Sequence, residues 1–364
     1  MRKMATVRRI DNINPIPNAD AIEVATVGGW RVVVKRGEFQ PGDLAVYCEI
    51  DSFIPSTVAP FLTKPGHYPK TFEGVEGERL RTVRLRGQIS QGLLISVGHV
   101  EGTGTPYIVS LPCEGAPEGD MIFVSEGLDV SDAWGIKKWE APIPAQLAGE
   151  MRGVFPSFIR KTDQERVQNL SREFQEWVGD IDDKESQLHW EITEKLDGSS
   201  MTVYVNQDDS GVCSRNLNLC ESSSNTFWRV AREKNLIEKI QSTGRNIALQ
   251  GELIGEGIQG NPYKISGQDF YLFDIYDIDT GEYLLPSERQ ALATELDIQC
   301  VPVIAYSPSL LDGLGIKTVD AVLGFAEGAS TLMAKTEREG LVFKCTTQQL
   351  SFKAISNRFL LKEK

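Results

Sequence analysis

The sequence predicts an α+β protein of two domains, a small all-β module followed by a domain of antiparallel sheets flanked by helices. Three observations carry this. Residues 1 to about 130 hold short strand-like runs separated by turn residues, the pattern of a small barrel. From 188 onward, longer strand patterns alternate with amphipathic helical ones. The 364 residues suffice for two or three domains, and 41% hydrophobic with 24% charged residues is ordinary globular composition. The expected divisions are 1–140 for the barrel, 141–160 for a Pro-containing linker and 161–364 for the second domain.

In the first domain strands are expected at 4–10, 22–27, 30–36, 43–50, 79–86, 90–97 and 120–125. Pro-Asn-Ala-Asp, Gly28-Gly29 and Pro41-Gly42-Asp43 supply turns between them. Residues 51–78, rich in Pro and Gly, read as an insertion. Val167, Leu170, Phe174 and Trp177 follow helical spacing and predict a helix over 163–178. Two alternating runs around Asp197-Gly198, WEITEKL and SMTVYV, predict a hairpin, because Asp-Gly favours a type I′ turn. Helices are expected at 224–242, 286–297 and 318–327. Strands are expected at 246–255, 270–278, 340–346 and 349–355.

Composition narrows the function classes. A net charge of −13 argues against broad nucleic-acid binding, but net charge does not decide a local groove. Arg79, Arg81, Arg84 and Arg86 could form such a groove, or simply protect an edge strand. No apolar run is long enough for a membrane span, and the N-terminus has no apolar signal-like stretch. The six cysteines form no close pair, which disfavours structural zinc and predicts reduced thiols in a cytosol-like compartment. Three histidines leave little material for a His-based centre. Gly255-Glu256-Gly257-Ile258-Gln259-Gly260 matches a dinucleotide fingerprint, but Asn261-Pro262-Tyr263 follows where a helix would be needed. No P-loop pattern occurs.

Lys195-Leu196-Asp197-Gly198 is a weak motif alone; an ordered set of companions gives it weight. Ser214-Arg215-Asn216 follows, then Gly251-Glu252-Leu253-Ile254-Gly255, then Phe273-Asp274-Ile275, then Glu339-Gly340-Leu341-Val342-Phe343-Lys344, and last Ser351-Phe352-Lys353-Ala354-Ile355. In this order and spacing the set resembles the covalent nucleotidyltransferases: DNA ligases, RNA ligases and capping enzymes. Only eleven residues follow Lys353, whereas capping enzymes and ATP-dependent DNA ligases carry an OB barrel there. With the barrel in front, the chain resembles the RNA ligases of the Deinococcus and Naegleria type.

That resemblance implies an N-terminal OB-like β-barrel and an ATP-grasp-like ligase domain. It implies ATP-dependent joining of RNA 3′-OH and 5′-phosphate ends, at nicks or breaks in duplex, through a lysyl-AMP intermediate. Lys195 would be the nucleophile, with a lowered pKa. Lys344 and Lys353 would act as catalytic cations on the α-phosphate. Glu252 and Arg215 would hold the ribose, Phe273 would stack on adenine and Glu194 would contribute to base selection. Asp197, Glu252 and Glu339 would hold Mg²⁺ or Mn²⁺, and Arg84 and Arg86 are candidate contacts to RNA or phosphate. Ser351 departs from the lysine common in relatives. The implied partner is RNA, including RNA–DNA hybrids, with no membrane and a monomeric enzyme. The alternatives are a DNA ligase, a capping guanylyltransferase, or an RNA-binding protein with a silent catalytic domain.

Overall fold

Short strands and long strands sort into two units, Met1–Pro142 and Ile143–Lys364. The computed structural model describes residues 3–112, 119–140, 151–178 and 188–362. Of the expected linker, 141–150 lies outside the described residues, as does Cys113. Met151–Val154 is a strand of the second unit, paired with Leu217–Leu219.

Among its described residues the first unit is built of strands apart from one 3-10 turn, Pro60–Leu62. Ala5–Arg9 and Leu93–Ser96 flank Leu44–Cys48 in an antiparallel sheet. Asn12–Pro15, Ile22–Val27 and Trp30–Lys35 form a meander. The Gln91 N–H to Arg31 carbonyl bond (2.8 Å) ties the chain entering Leu93–Ser96 to the meander. Met4, Val7, Val46, Cys48, Ile54 and Trp134 lie in the core.

Residues 51–78 are not a plain insertion. Ser52–Pro55, Lys70–Phe72 and Val75–Arg79 form a sheet with Lys137–Lys138. The expected strand 79–86 is broken. Arg79 pairs with Asp51 at 2.5 Å and stacks on Trp139 at 4.3 Å, and a new hairpin joins Val83–Leu85 to Gln88–Ser90. Its two-residue tip, Arg86-Gly87, has φ of 48° and 83°, as a type I′ turn requires.

The second unit stacks two sheets. The seven-stranded one runs, in spatial order, Met151–Val154, Leu217–Leu219, Asp209–Cys213, Ser199–Asn206, Ile247–Gly255, Gln268–Asp277 and Glu282–Tyr283. The five-stranded one runs Glu165–Arg166, Ser351–Ile355, Gly340–Cys345, Trp190–Lys195 and Val303–Ser307. Each sheet has its own core. Met201, Val203, Leu249 and Leu272 pack with helices Thr226–Glu233 and Pro286–Glu295. Trp190, Ile192, Phe343 and Phe352 pack with helix Val319–Ala326. Side chains of opposite parity face the cleft between the sheets.

Three expectations are corrected here. WEITEKL and SMTVYV do not form a hairpin. Trp190–Lys195 already has neighbours on both edges, as does Ser199–Asn206, so the Asp-Gly turn passes the chain from one sheet to the other. Neither Asp197 nor Gly198 is among the positive-φ residues. The helix expected at 163–178 begins late. Glu165–Arg166 pairs in parallel with Phe352–Lys353, covering that sheet edge, before a 3-10 turn leads into Ser171–Val178. The helix expected at 224–242 is two, Thr226–Glu233 and Leu236–Ser242, separated by Asn235 at φ 50°, a region Asn tolerates.

A buried ion pair ties helix Pro286–Glu295 to the five-stranded sheet. Arg289 on helix Pro286–Glu295 donates from Nη2 to both oxygens of Glu191, at 2.9 and 2.8 Å. The Tyr306 hydroxyl donates to the same carboxylate at 3.0 Å. Both charged side chains are essentially inaccessible. Glu191→Gln leaves the guanidinium buried without its counter-charge, and urea unfolding is expected to show a loss of about 3–5 kcal/mol. A loss under about 1 kcal/mol contradicts the pair's structural role.

Candidate functional site

The chain crossing at Lys195-Leu196-Asp197-Gly198 builds the site. Lys195 ends a strand of the five-stranded sheet, opposite Gly340. Four residues later the chain enters the seven-stranded sheet, with Ser199 opposite Leu253 and Ser200 opposite Glu252. A Cβ on Gly198 would lie 2.4 Å from the Leu253 carbonyl oxygen and 3.0 Å from Glu252 Cγ. Glycine is thus needed for close approach, not for the turn type expected from Asp-Gly.

The crossing brings Lys195 against Glu339, Nζ lying 2.6 Å from Oε1 and 2.7 Å from Oε2. Glu252 and Asp197 add their charges to the same spot. Burial pulls the Lys195 ammonium down, but Glu339, Glu252 and Asp197 outweigh it and the net shift is upward. This reverses the lowered pKa expected from sequence, because the neighbours are carboxylates and the expected cations lie elsewhere. Glu252 shows the other side of the balance. Burial raises its pKa, Lys195 pulls it back, and Glu339 and Asp197 raise it again, leaving it at about 8.

The other expected cations sit along the cleft face. Lys344 is buried, donating to the Phe273 carbonyl at 2.5 Å and pairing with Asp274 at 2.6 Å. Burial pulls its ammonium down, the attraction of Asp274 opposes this, Arg289 repels it, and the net shift is downward. Lys353 pairs with Asp163 at 3.0 Å, and Arg215 stands 4.0 Å from the other oxygen of that carboxylate. A cavity of about 280 Å³ opens beside them, lined by Asp163, Gln164, Asp274, Tyr283, Lys344 and Ser351, among others.

Phe273 is not a plain strand residue. Gln250 faces Asp274 and Gly251 faces Leu272, so Phe273 is the extra residue of a β-bulge. Bulges beside sites re-aim side chains, and Phe273 packs against the cluster of Leu196, Ile254, Tyr263, Tyr271 and Val301. Glu194 alternates to the strand face opposite Lys195. One of its oxygens accepts from Thr331 N–H at 2.7 Å, and the other is buried with no partner among the described residues.

The structure therefore brings Lys195, Asp197, Glu252 and Glu339 together. It packs Phe273 in the apolar cluster of Leu196 beside them, gives Lys344 to Asp274 and Lys353 and Arg215 to Asp163, and puts Arg84 and Arg86 on an exposed hairpin of the first unit. Sequence reasoning missed Asp163, Asp274, Arg289 and Tyr263. Asp274 lies inside a quoted motif and was legible; the other three are joined to the site only by folding. Among the described residues no three His, Cys, Asp or Glu side chains are placed to ligate one ion directly. Hard oxygen donors reaching an ion through its water shell suit Mg²⁺ or Mn²⁺.

An OB-fold domain model matches residues 4–97, and an RNA ligase model matches residues 188–362. No curated protein matches. Solved structures of an RNA ligase from Naegleria gruberi are similar over the whole chain. A variant with AMP and Mn is 45% identical, covering 100% of this chain and 99% of that one, with a TM-score of 0.83. A second variant, with ATP and Mn, is 45% identical over 99% of each chain, at 0.83. The same ligase with PPi is 45% identical over 100% and 99%, at 0.82.

Glu252 gives this cluster a pH signature. Its folded pKa of about 8 exceeds an unfolded value of about 4.3. Between these the folded protein binds the extra proton, so this contribution to stability is present below about pH 4 and is lost as pH rises through 8. Unfolding at pH 5.5 and 8 should show a fall that Glu252→Gln reduces; an equal fall in the variant contradicts the assignment.

Proposed function

The chain belongs to the RNA ligase family, and from that premise we propose that it seals RNA 3′-OH and 5′-phosphate ends with ATP through a lysyl-AMP intermediate. The observation that carries the reading is the packing of Lys195 against Glu339, Glu252 and Asp197 at the sheet crossing. The Naegleria ligase structures contain AMP or ATP with Mn, or PPi, which supports ATP as substrate and a divalent metal as cofactor here.

In the first step the neutral Lys195 amine attacks the α-phosphorus, an N–P bond forms, pyrophosphate leaves and the amine proton is lost. In the second, an RNA 5′-phosphate oxygen attacks the same phosphorus and lysine leaves, giving an RNA 5′-adenylate. In the third, the 3′-OH attacks the RNA 5′-phosphorus and AMP leaves. Each transfer spreads negative charge over phosphate oxygens, so positioning and fixed positive charge do most of the catalysis.

Asp197, Glu252 and Glu339 would hold Mg²⁺ or Mn²⁺ through water, and the ion would neutralise phosphate charge. Binding any cation there weakens the carboxylates' hold on the Lys195 proton. Lys344 and Lys353 would contact the α-phosphate, which must compete with Asp274 and Asp163 for them. Arg215 and Glu252 would hold the ribose, and Phe273, re-aimed by its bulge, would stack on adenine. Glu194, next to the nucleophile in sequence, would contribute to base selection. Ser351 sits opposite Lys344 at the cavity wall, a place for a hydroxyl contact where relatives carry a cation.

Arg84 and Arg86, on the exposed hairpin, are proposed to grip RNA backbone. Their Ala variants should weaken RNA binding and flatten its salt dependence, and an unchanged slope rejects the contact. Among the described residues no helix is long and apolar enough to cross a membrane. We read the enzyme as a monomer of a reducing compartment acting on nicked or broken duplexes, RNA–DNA hybrids included.

The test is incubation with α-labelled ATP or GTP and Mg²⁺ or Mn²⁺, followed by denaturation. The expected result is a covalent AMP adduct that Lys195→Ala abolishes, followed by sealing of nicks with RNA on the 3′-OH side. No adduct from either nucleotide sinks the reading, and labelling by GTP alone points to capping chemistry.

A further inference from the structure

The loop that matched a dinucleotide fingerprint has a different place in this fold. Residues 256–267 return from the end of strand Ile247–Gly255 to the start of strand Gln268–Asp277. Gln259, Asn261 and Lys264 hold φ of 45°, 49° and 54°, conformations that cost energy and persist only where surrounding contacts fix them. The fixing contacts are present. Asn261 closes a ring with Ile265, its Nδ2 donating to the Ile265 carbonyl at 2.8 Å and its Oδ1 accepting from Ile265 N–H at 3.0 Å. Thr336 Oγ1 donates to the Pro262 carbonyl at 2.8 Å, tying the loop to the segment that leads into Glu339.

Between these anchors stands Tyr263, only 3% exposed, its ring packed with Leu196, Ile254, Tyr271 and Val301. Its hydroxyl oxygen accepts from Asp197 N–H at 2.6 Å. Gln259 Nε2 reaches the Gly198 carbonyl at 3.4 Å. The loop thus holds the backbone of the crossing at two consecutive residues, while strand Gly340–Cys345 holds Lys195 from the other side. We propose that Tyr263 is a positioning residue for lysine adenylylation, its hydroxyl fixing the Asp197 peptide and so the aim of Lys195 and the Asp197 carboxylate. The inference rests on Lys195 being the nucleophile.

Tyr263→Phe removes one oxygen and keeps the packed ring. It leaves the Asp197 N–H without its acceptor, and the turn relaxes to find another. A displacement of about 1 Å at a nucleophile is enough to cost a large rate factor. The loss should fall on the step in which Lys195 attacks. Joining of RNA that already carries a 5′-adenylate does not use the lysine as nucleophile.

The experiment is single-turnover kinetics of the full-length protein, wild type against Y263F and Q259A, with melting curves for each. For Y263F the expected result is lysyl-AMP formation slowed by about tenfold or more at saturating ATP, with KM for ATP within roughly twofold. Joining of pre-adenylylated RNA should fall less than about threefold, with Q259A intermediate on the first step. Adenylylation at the wild-type rate in Y263F overturns the proposal, as does an equal loss in both steps, which marks a merely structural role. Absence of the adduct in wild type is a separate failure, of the nucleophile assignment, and overturns both.

Discussion

The 2.6 Å contact between Lys195 and Glu339 joins a primary amine to a carboxylate where Glu252 and Asp197 add further negative charge. Four charged groups meet there because one tetrapeptide carries the chain from sheet to sheet. Trp190–Lys195 supplies the amine, Gly340–Cys345 brings Glu339 to the adjoining strand end, and Ile247–Gly255 supplies Glu252. Gly198 permits the crossing, since any larger residue would strike the Leu253 carbonyl. The cluster sets one lysine against three carboxyl groups, of which burial and its neighbours raise the pKa of Glu252 to about 8.

The same logic extends along the cleft. Lys344 sits among Asp274, the Phe273 carbonyl and the Arg289–Glu191 pair, so a helix outside the seven-stranded sheet influences a lysine on the five-stranded one. Asp163 lies between Lys353 and Arg215. Each of these cations faces a carboxylate that a phosphate oxygen can replace, so charge is preorganised without an uncompensated cation being buried.

Much of the fold was legible because hydrophobic period survives folding. Strands Ile247–Gly255, Gly340–Cys345 and Ser351–Ile355 and helices Pro286–Glu295 and Val319–Ala326 fall where their patterns place them, within a residue or two. The hairpin at Asp197-Gly198 failed because local turn chemistry cannot report whether a strand's edges are already taken. At the site, residue types and their order were readable, but electrostatic direction was not. Lys195 carries no local sign that its neighbours would be carboxylates contributed from positions 252 and 339. Tyr263 lies three residues past a glycine motif that suggested another chemistry, and nothing local ties it to Asp197.

At Lys195 the surrounding carboxylates outweigh burial. The most direct measurement is the pKa of the Lys195 ammonium in metal-free protein, from a pH titration of ¹³C-labelled lysine Cε followed by NMR. The expected value lies above the ordinary lysine figure of about 10.4 and falls when Glu339 is replaced by Gln. A value below the ordinary figure, unchanged by that substitution, would contradict it.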